Sequence, residues 1–270
     1  MRNIKITLAY DGSEFHGWQI QPGLPTIQGA LTDAARKITG ERIVINGASR
    51  TDAGVHALAQ VASFKTNSTL DAQEFRRALN ALIPPAVRVV QAEEVGPDFH
   101  ARWQALGKTY RYRIYRGRVV PPFDWKFVLH YPYRLDEPAM SEAAKLLEGE
   151  HDFSSFAASS GSEEDDKDRN MVKEIYRSEI FRLPGTEEMV YEVRGRSFLR
   201  YMVRKIVGTL LEVGRGRFTP EDLKRIIEWK DRGKSGPTVP PDGLFLVGLD
   251  YLDPTGSLGG RSKAVFRTVK

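Results

Sequence analysis

The chain of 270 residues contains no cysteine. This absence excludes a disulfide framework, thiolate zinc sites and cysteine nucleophiles, and it fits a reducing compartment. Long apolar runs are also missing, since none approaches the ~20 residues that a membrane-spanning helix needs. The first ten residues alternate between polar and apolar side chains, which is typical of a strand and not of a signal peptide. These absences predict a cytoplasmic protein that does not enter the membrane.

Several familiar catalytic motifs are missing as well. The tripeptide Gly233–Ser235 resembles the end of a phosphate-binding loop, but the required upstream glycine is replaced by Glu228. The five histidines are scattered, and none shows the spacing of two metal ligands on a helix. No Gly-x-Ser-x-Gly segment is present. The sequence therefore predicts neither a metal nor a cofactor, and it gives no support for a nucleotide hydrolase, a metalloenzyme or a serine hydrolase.

The net charge of +5 is modest, but the charges are unevenly distributed. Seven basic residues and one acid lie between Arg194 and Arg217, and six basic residues and no acid lie between Arg102 and Arg118. Tyrosine and phenylalanine are interleaved with these cations, a combination that suits RNA phosphates and stacked bases. A charge run by itself is more often a solvated face. The acidic run at 163–168 predicts an exposed loop.

The hydrophobic pattern predicts several strands and at least two helices in each half of the chain, in a similar order. Strands are predicted at 4–10, 42–46, 55–64, 87–95, 108–116, 172–183, 189–194 and 244–250. Helices are predicted at 26–38, from 71 to the prolines at 84–85, at 137–147, at 197–213 and from 219 onward. Mixed order with hairpin-like neighbours favours an α+β fold with a mainly antiparallel sheet. The predicted organisation is two α+β lobes, 1–105 and 106–255, followed by a flexible tail at 256–270.

One polar turn between two predicted strands is the candidate for chemistry. It contains the heptapeptide Arg50-Thr51-Asp52-Ala53-Gly54-Val55-His56. An aspartate followed by Ala-Gly lets the backbone approach a ligand closely. Aspartate in such a turn often bonds only its own backbone. The heptapeptide alone leaves both the catalytic and the structural role open.

This heptapeptide resembles the signature of the pseudouridine synthase family that modifies the tRNA anticodon stem-loop, the TruA type. Similar segments occur in order along nearly the whole chain: Tyr10–Gly12, Phe15–Gln19, Phe99–Arg102, Lys108–Tyr112, His151–Phe156, Phe198–Gly208 and Gly243–Leu246. Each segment is weak evidence, whereas the ordered set is highly specific. The chain departs from the family at Ser49, where glycine is common, and in the acidic stretch at 163–168. Neither departure removes a functional group.

The resemblance implies isomerisation of uridine to pseudouridine at about positions 38–40 of the tRNA anticodon stem-loop, after the base has been flipped out. By the same resemblance Asp52 is the catalytic carboxylate. An aspartate is ionised at neutral pH and can act as a nucleophile or stabilise positive charge on the sugar, so the reaction needs no metal or cofactor. Whether Asp52 attacks the sugar, attacks the base or works through an eliminated sugar stays open at this point.

Two further residues match catalytic positions of the family. Arg204 corresponds to its helix arginine and would be the cation beside Asp52, the alternative being a surface arginine that binds phosphate. Tyr110 corresponds to its active-site tyrosine, which would stack on the flipped uracil and could take part in proton transfer. The alternative for Tyr110 is packing in the core, as expected for Tyr112 on the same face of its strand.

Other residues are predicted to contact RNA or to support the fold. Arg50 would fill the gap left by the flipped base or bind phosphate, and its plain alternative is an ion pair that stabilises the turn. Arg200, one helical turn before Arg204, is predicted to meet RNA. His56 is interpreted as structural despite its place in the signature.

The family resemblance also implies an architecture and partners. It implies two ferredoxin-like α+β lobes whose sheets join, with the active cleft between them and Asp52 on its floor. It further implies a homodimer that binds one tRNA with both subunits. Two alternatives remain open at this stage. One is a pseudouridine synthase with another RNA target, and the other is a non-catalytic tRNA-binding protein.

Overall fold

The computed structural model describes residues 1–158 and 170–252. Five α-helices and ten β-strands lie in this part of the chain, and most strand pairs are antiparallel, so the predicted α+β class is confirmed. The chain divides into two compact units. Among the described residues, unit 1 is Met1–Lys108 with 245–252, and unit 2 is Thr109–Leu244. The predicted acidic loop at 163–168 and the predicted tail at 256–270 lie outside the described residues.

Unit 1 is built around its first strand, which pairs antiparallel with a strand on each side. Its elements are β1 (Arg2–Tyr10), α1 (Ile27–Thr39), β2 (Asn46–Gly47), β3 (His56–Thr66), α2 (Ala72–Leu82), β4 (Val87–Val95) and, from Phe245, β10 (Leu244–Asp250). The strand order is β4-β1-β3-β10, and β10 runs parallel to β3. The alternating residues Ile4, Ile6 and Leu8 are fully buried, because successive side chains of a strand point to opposite faces.

Unit 2 contains the remaining elements. They are most of β5 (Gly107–Tyr115), then β6 (Leu129–His130), α3 (Glu137–Lys145), β7 (Gly149–Asp152), β8 (Val172–Arg182), β9 (Glu188–Gly195), α4 (Met202–Gly214) and α5 (Pro220–Trp229). The strand order is β5-β9-β8-β7, and β6 pairs with β5. Helix α3 packs against α4, α5 and β8, which covers the buried side chains of α4.

The predicted helix starts are confirmed by their capping contacts. The Thr26 side chain accepts a hydrogen bond from the backbone N–H of Gly29 at the start of α1. Asp71 begins α2 with a reciprocal capping box, in which Glu74 accepts from the Asp71 backbone N–H. Thr219 forms the same arrangement at α5, with a proline in the first turn. Each cap satisfies backbone donors that a helix start leaves unbonded.

Some predicted boundaries are wrong. The helix predicted at 197–213 begins five residues later, at Met202, because Tyr201 has φ 62° and a left-handed residue cannot continue a right-handed helix. The strand predicted at 42–46 is reduced to the two residues Asn46–Gly47. The short strands β6 and β7 were not predicted, since two and four residues are too few for a clear alternation.

Gly208 lets another chain segment lie directly on α4. A Cβ at this position would be 1.7 Å from the carbonyl oxygen of Pro237. The same segment also donates a hydrogen bond to this helix, from the Gly236 N–H to the Thr209 hydroxyl oxygen at 2.9 Å. The glycine is therefore required by a close backbone approach, not by the helix itself.

We expect Gly208→Ala to lower the free energy of unfolding by about 3 kcal/mol, because the added methyl must displace backbone. In an uncrowded helix the same change would raise it by about 1 kcal/mol. Urea denaturation of both proteins measures the difference. Gly96→Ala is the matched control, since no atom lies within 4 Å of its added Cβ. A Gly208→Ala protein as stable as the wild type would contradict the predicted crowding.

Candidate active site

The turn that carries Asp52 connects β2 to β3 and is held by its backbone. Thr51 is buried, its carbonyl accepts a hydrogen bond from the Trp18 N–H at 3.0 Å, and its hydroxyl lies 2.9 Å from the Tyr10 hydroxyl. The Asp52 carbonyl accepts from the Val55 N–H at 3.1 Å, which closes the turn. The Asp52 residue itself is partly exposed. A fixed backbone thus holds a partly exposed aspartate.

The loop after β1 packs against this turn through glycines. A Cβ at Gly12 would be 2.1 Å from the Val55 carbonyl oxygen, and one at Gly17 would be 2.6 Å from the Thr51 carbonyl oxygen. Gly17 also has φ 86°, which L side chains rarely adopt. The Gly54 N–H donates to the Phe15 carbonyl at 3.2 Å. These contacts give a physical reason for two glycines in segments that carried the family resemblance.

Two side chains of unit 1 hold the start of the turn. Gln60 bonds both backbone groups of Ser49: its amide N–H donates to the carbonyl at 2.7 Å, and its carbonyl accepts from the N–H at 3.2 Å. The Lys108 ammonium donates to the Ala48 carbonyl at 2.8 Å and lies 3.4 Å from the Ser49 hydroxyl. Burial, with a smaller contribution from the charge of Arg102, lowers the pKa of Lys108 to about 8.

His56 is buried at the start of β3, as its structural interpretation requires. Its ring stacks on Phe245 of β10 with centroids 4.7 Å apart. Its Nδ1 accepts from the Gly12 N–H at 3.1 Å and lies 3.2 Å from a carboxylate oxygen of Asp11. The histidine therefore ties the loop after β1 to the strand that follows the Asp52 turn.

Arg50 is exposed, two residues before Asp52. No carboxylate in residues 1–158 and 170–252 forms an ion pair with it. An ion pair that stabilises the turn, the plain alternative for Arg50, thus has no support in these residues. The guanidinium is available to a phosphate group.

Arg204 lies in the first turn of α4 and is partly buried. Its Nε donates to the Val239 carbonyl at 2.7 Å, and its guanidinium carbon lies 4.7 Å from the centroid of the Tyr201 ring. Within the described ranges it forms no ion pair, whereas the part-buried Arg113 is bonded to Glu188 at 2.6 Å. Because only Nε donates a hydrogen bond to the described residues, the terminal nitrogens of Arg204 can donate to an anionic group. The helix therefore presents an oriented cation.

Tyr201 lies beside both candidate arginines, Arg204 in α4 and Arg200 just before that helix. The Arg200 guanidinium carbon is 4.9 Å from the ring centroid, and an Arg200 nitrogen is 3.3 Å from the Tyr201 hydroxyl. The aromatic ring thus limits the orientations of both guanidinium groups. In the sequence Tyr201 is one of several aromatic residues interleaved with basic ones, and no sequence signal indicates its left-handed backbone.

Tyr110 is 6% exposed in β5, and its ring meets the edge of Phe198 with centroids 5.1 Å apart. Tyr112 on the same strand is fully buried and donates its hydroxyl hydrogen to the Pro240 carbonyl at 2.8 Å. Burial raises the pKa of Tyr112 above its ordinary value. Core packing is therefore the role of Tyr112, as expected, while the catalytic role of Tyr110 stays a prediction.

The predicted site residues fall into two groups. Arg50 and Asp52 share one turn of unit 1, and Lys108, which sequence reasoning did not single out, bonds to the start of that turn. In unit 2, Arg200 and Arg204 adjoin one tyrosine, and Tyr110 lies in β5. The described residues hold no cluster of three or more potential metal ligands among His, Asp and Glu. No helix in that same part of the chain is long and apolar enough to cross a bilayer.

An α+β fold with mainly antiparallel strands, and an aspartate turn with the sequence Arg-Thr-Asp-Ala-Gly-Val-His, define the pseudouridine synthase class. The family model described as tRNA pseudouridine synthase matches residues 6–104 and 143–252. The chain belongs to this family.

The sequences of curated relatives align with this chain over their whole length. The tRNA pseudouridine synthase A of Solibacter usitatus is 49% identical over 251 residues, which are 93% of this chain and 100% of the relative. The protein of the same name from Caldicellulosiruptor saccharolyticus is 44% identical over the same shares of both chains. That of Lacticaseibacillus casei is 43% identical over 252 residues, again 93% of this chain and 100% of the relative.

Proposed function

We propose that the protein is an isomerase that converts uridine to pseudouridine in tRNA, with Asp52 as the catalytic carboxylate. The observation that carries this proposal is the Arg50–His56 turn. It is fixed by backbone contacts at Thr51 and Val55 and presents a partly exposed aspartate, in a chain 49% identical to a tRNA pseudouridine synthase A. The finer target is the set of uridines at about positions 38–40 of the anticodon stem-loop, where flipping one base costs a few kcal/mol.

The reaction requires a carboxylate and a uracil that is held in position. Isomerisation exchanges the bond from C1′ of the ribose to N1 of uracil for a bond from C1′ to C5. One proton leaves C5 and one is added at N1, so the reaction is balanced without an oxidant or a reductant. An ionised carboxylate at Asp52 serves either as the nucleophile or as the counter-charge of the sugar. In this proposal Arg204 supplies positive charge at that carboxylate, and Tyr110 stacks on the uracil.

RNA contacts of the proposed enzyme come from cations that no carboxylate of the described residues neutralises. Arg50 and Arg200 are both exposed and unpaired in this sense. Exposed guanidinium groups without acidic partners suit phosphate oxygens, which accept bidentate hydrogen bonds. We further propose that the enzyme acts in the cytoplasm as a homodimer that binds one tRNA with both subunits. Light scattering tests the dimer, for which twice the chain mass of 30.4 kDa is expected.

Mapping of modified positions tests the function. Purified protein is incubated with an unmodified tRNA transcript, and pseudouridine is located by chemical derivatisation and primer extension. The expected result is modification confined to the anticodon stem-loop. Modification elsewhere would indicate a pseudouridine synthase with another target. Binding of tRNA without any product would favour the non-catalytic alternative.

Affinity for tRNA is expected to fall steeply with salt, because each bound phosphate releases counterions. With about five phosphate contacts, a rise from 50 to 200 mM salt should weaken binding by roughly 10²- to 10³-fold. Filter binding with the wild type and with Arg50→Gln measures the slope, which the substitution should reduce by roughly one contact. A flat salt response of the wild type would rule out binding through the phosphate backbone.

A further inference from the structure

Lys108 places a positive charge where the surrounding groups do not neutralise it. Its ammonium is partly buried, and its hydrogen-bond partners in the described residues are the neutral carbonyl of Ala48 and the hydroxyl of Ser49. No carboxylate in the described ranges forms an ion pair with it. The charged group whose field acts on it is Arg102, which has the same sign. A buried charge without a counter-charge is unfavourable for folding.

A neutral side chain would hold the same backbone without the free-energy cost of burying a charge. The turn contains an example of such a side chain. Gln60 holds Ser49, the next residue, through two hydrogen bonds of its neutral amide. If Lys108 only had to bond the Ala48 carbonyl, an uncharged donor would suffice. The positive charge of Lys108 is therefore explained by the reaction at the turn, and not by the stability of the turn.

We infer that Lys108 is a positioning residue of the isomerisation. Its ammonium fixes the start of the turn that leads to Asp52, and it provides positive charge behind that turn once RNA has excluded water. Bound RNA and the carboxylate of Asp52 are both anionic, so a fixed cation behind the turn becomes favourable only when the substrate is present. The inference rests on the proposed function, because it assigns Lys108 a role at the same turn.

Three substitutions separate the charge from the hydrogen bond. We expect Lys108→Met to lower kcat by roughly 10- to 100-fold, as misplacement of a reacting group by a fraction of a bond length does. KM for the tRNA transcript should stay within about threefold, because the Lys108 ammonium is directed to the Ala48 carbonyl of its own unit and not to solvent. Lys108→Gln, which keeps a neutral donor, should remain slow, and Lys108→Arg, which keeps the charge, should recover most of kcat. If Lys108→Met does not fold, the comparison of Lys108→Gln with Lys108→Arg tests the inference.

The free energy of unfolding of the same proteins is measured by urea denaturation. A purely structural role of Lys108 predicts that kcat falls together with stability. Loss of an uncompensated charge should leave Lys108→Gln at least as stable as the wild type while its kcat falls. Lys65→Met is the matched control, since Lys65 is an exposed lysine of β3 and its replacement should change neither quantity. A Lys108→Gln protein with wild-type kcat, or one whose loss of kcat follows a loss of stability, would overturn the inference.

Failure of this inference is distinguishable from failure of the proposed function. If Asp52→Asn is inactive and the neutral variants of Lys108 are fully active, the function stands and Lys108 has no part in it. If Asp52→Asn keeps its activity, the proposed function itself is wrong.

Discussion

Asp52→Asn is expected to abolish pseudouridine formation while tRNA binding persists. The amide has nearly the same shape as the carboxylate, but it carries no negative charge and cannot act as the nucleophile. Removal of a nucleophile from a catalytic site lowers kcat by roughly 10³-fold or more. The backbone bond from the Val55 N–H to the Asp52 carbonyl does not involve the side chain, so the turn should keep its conformation. Single-turnover assays with excess enzyme measure the chemical step, and filter binding measures affinity.

Asp33→Asn is the matched control for this experiment. Asp33 lies in α1 of the same unit, and its side chain is 68% exposed with only a weak contact to Arg36 at 3.9 Å. The same chemical change there should alter neither turnover nor the free energy of unfolding by a measurable amount. Substantial turnover by pure Asp52→Asn protein would remove Asp52 from the reaction, whatever the affinity for tRNA.

The parts of the fold that local chemistry determines were predictable from the sequence. β4 and β10 occupy the predicted residues, because their alternating or continuous apolar pattern is unambiguous. The starts of α1, α2 and α5 follow from side chains that bond backbone donors within four residues. The late start of α4 was not predictable, since a left-handed tyrosine has no sequence signature.

In the candidate site, too, local sequence signals were predictable and contacts between remote residues were not. Asp52 was found through a contiguous signature, and Arg204 through a recognisable helix segment. Lys108 was not singled out, because its hydrogen bond joins residues 60 positions apart and strand periodicity says nothing about such partners. The contacts at Gly12 and Gly17 are equally remote in sequence from the turn they touch. The sequence thus indicated the candidate residues, whereas the structure indicates what holds them.

Arg204→Met is expected to reduce turnover more than binding. Methionine keeps much of the apolar stem, but it removes a cation that α4 presents with its terminal nitrogens available. In a site from which RNA excludes water, loss of one fixed charge beside the reacting groups lowers kcat by roughly 10²- to 10³-fold. Steady-state kinetics at several tRNA concentrations separate kcat from KM. Arg204→Lys should be intermediate, because it keeps the charge but loses the bond from Nε to the Val239 carbonyl.

Arg200→Met is the control that distinguishes a specific effect of Arg204 on kcat from a general loss of positive charge. Arg200 shares the Tyr201 ring with Arg204, is exposed and lies just before the start of α4. Its replacement should raise KM severalfold and change kcat little, because a phosphate contact stabilises bound substrate and transition state alike. The two substitutions remove the same charge from neighbouring positions, so net charge cannot explain a difference between them. A larger effect of Arg204→Met on KM than on kcat would move Arg204 to the RNA-binding surface and leave Asp52 without its proposed cation.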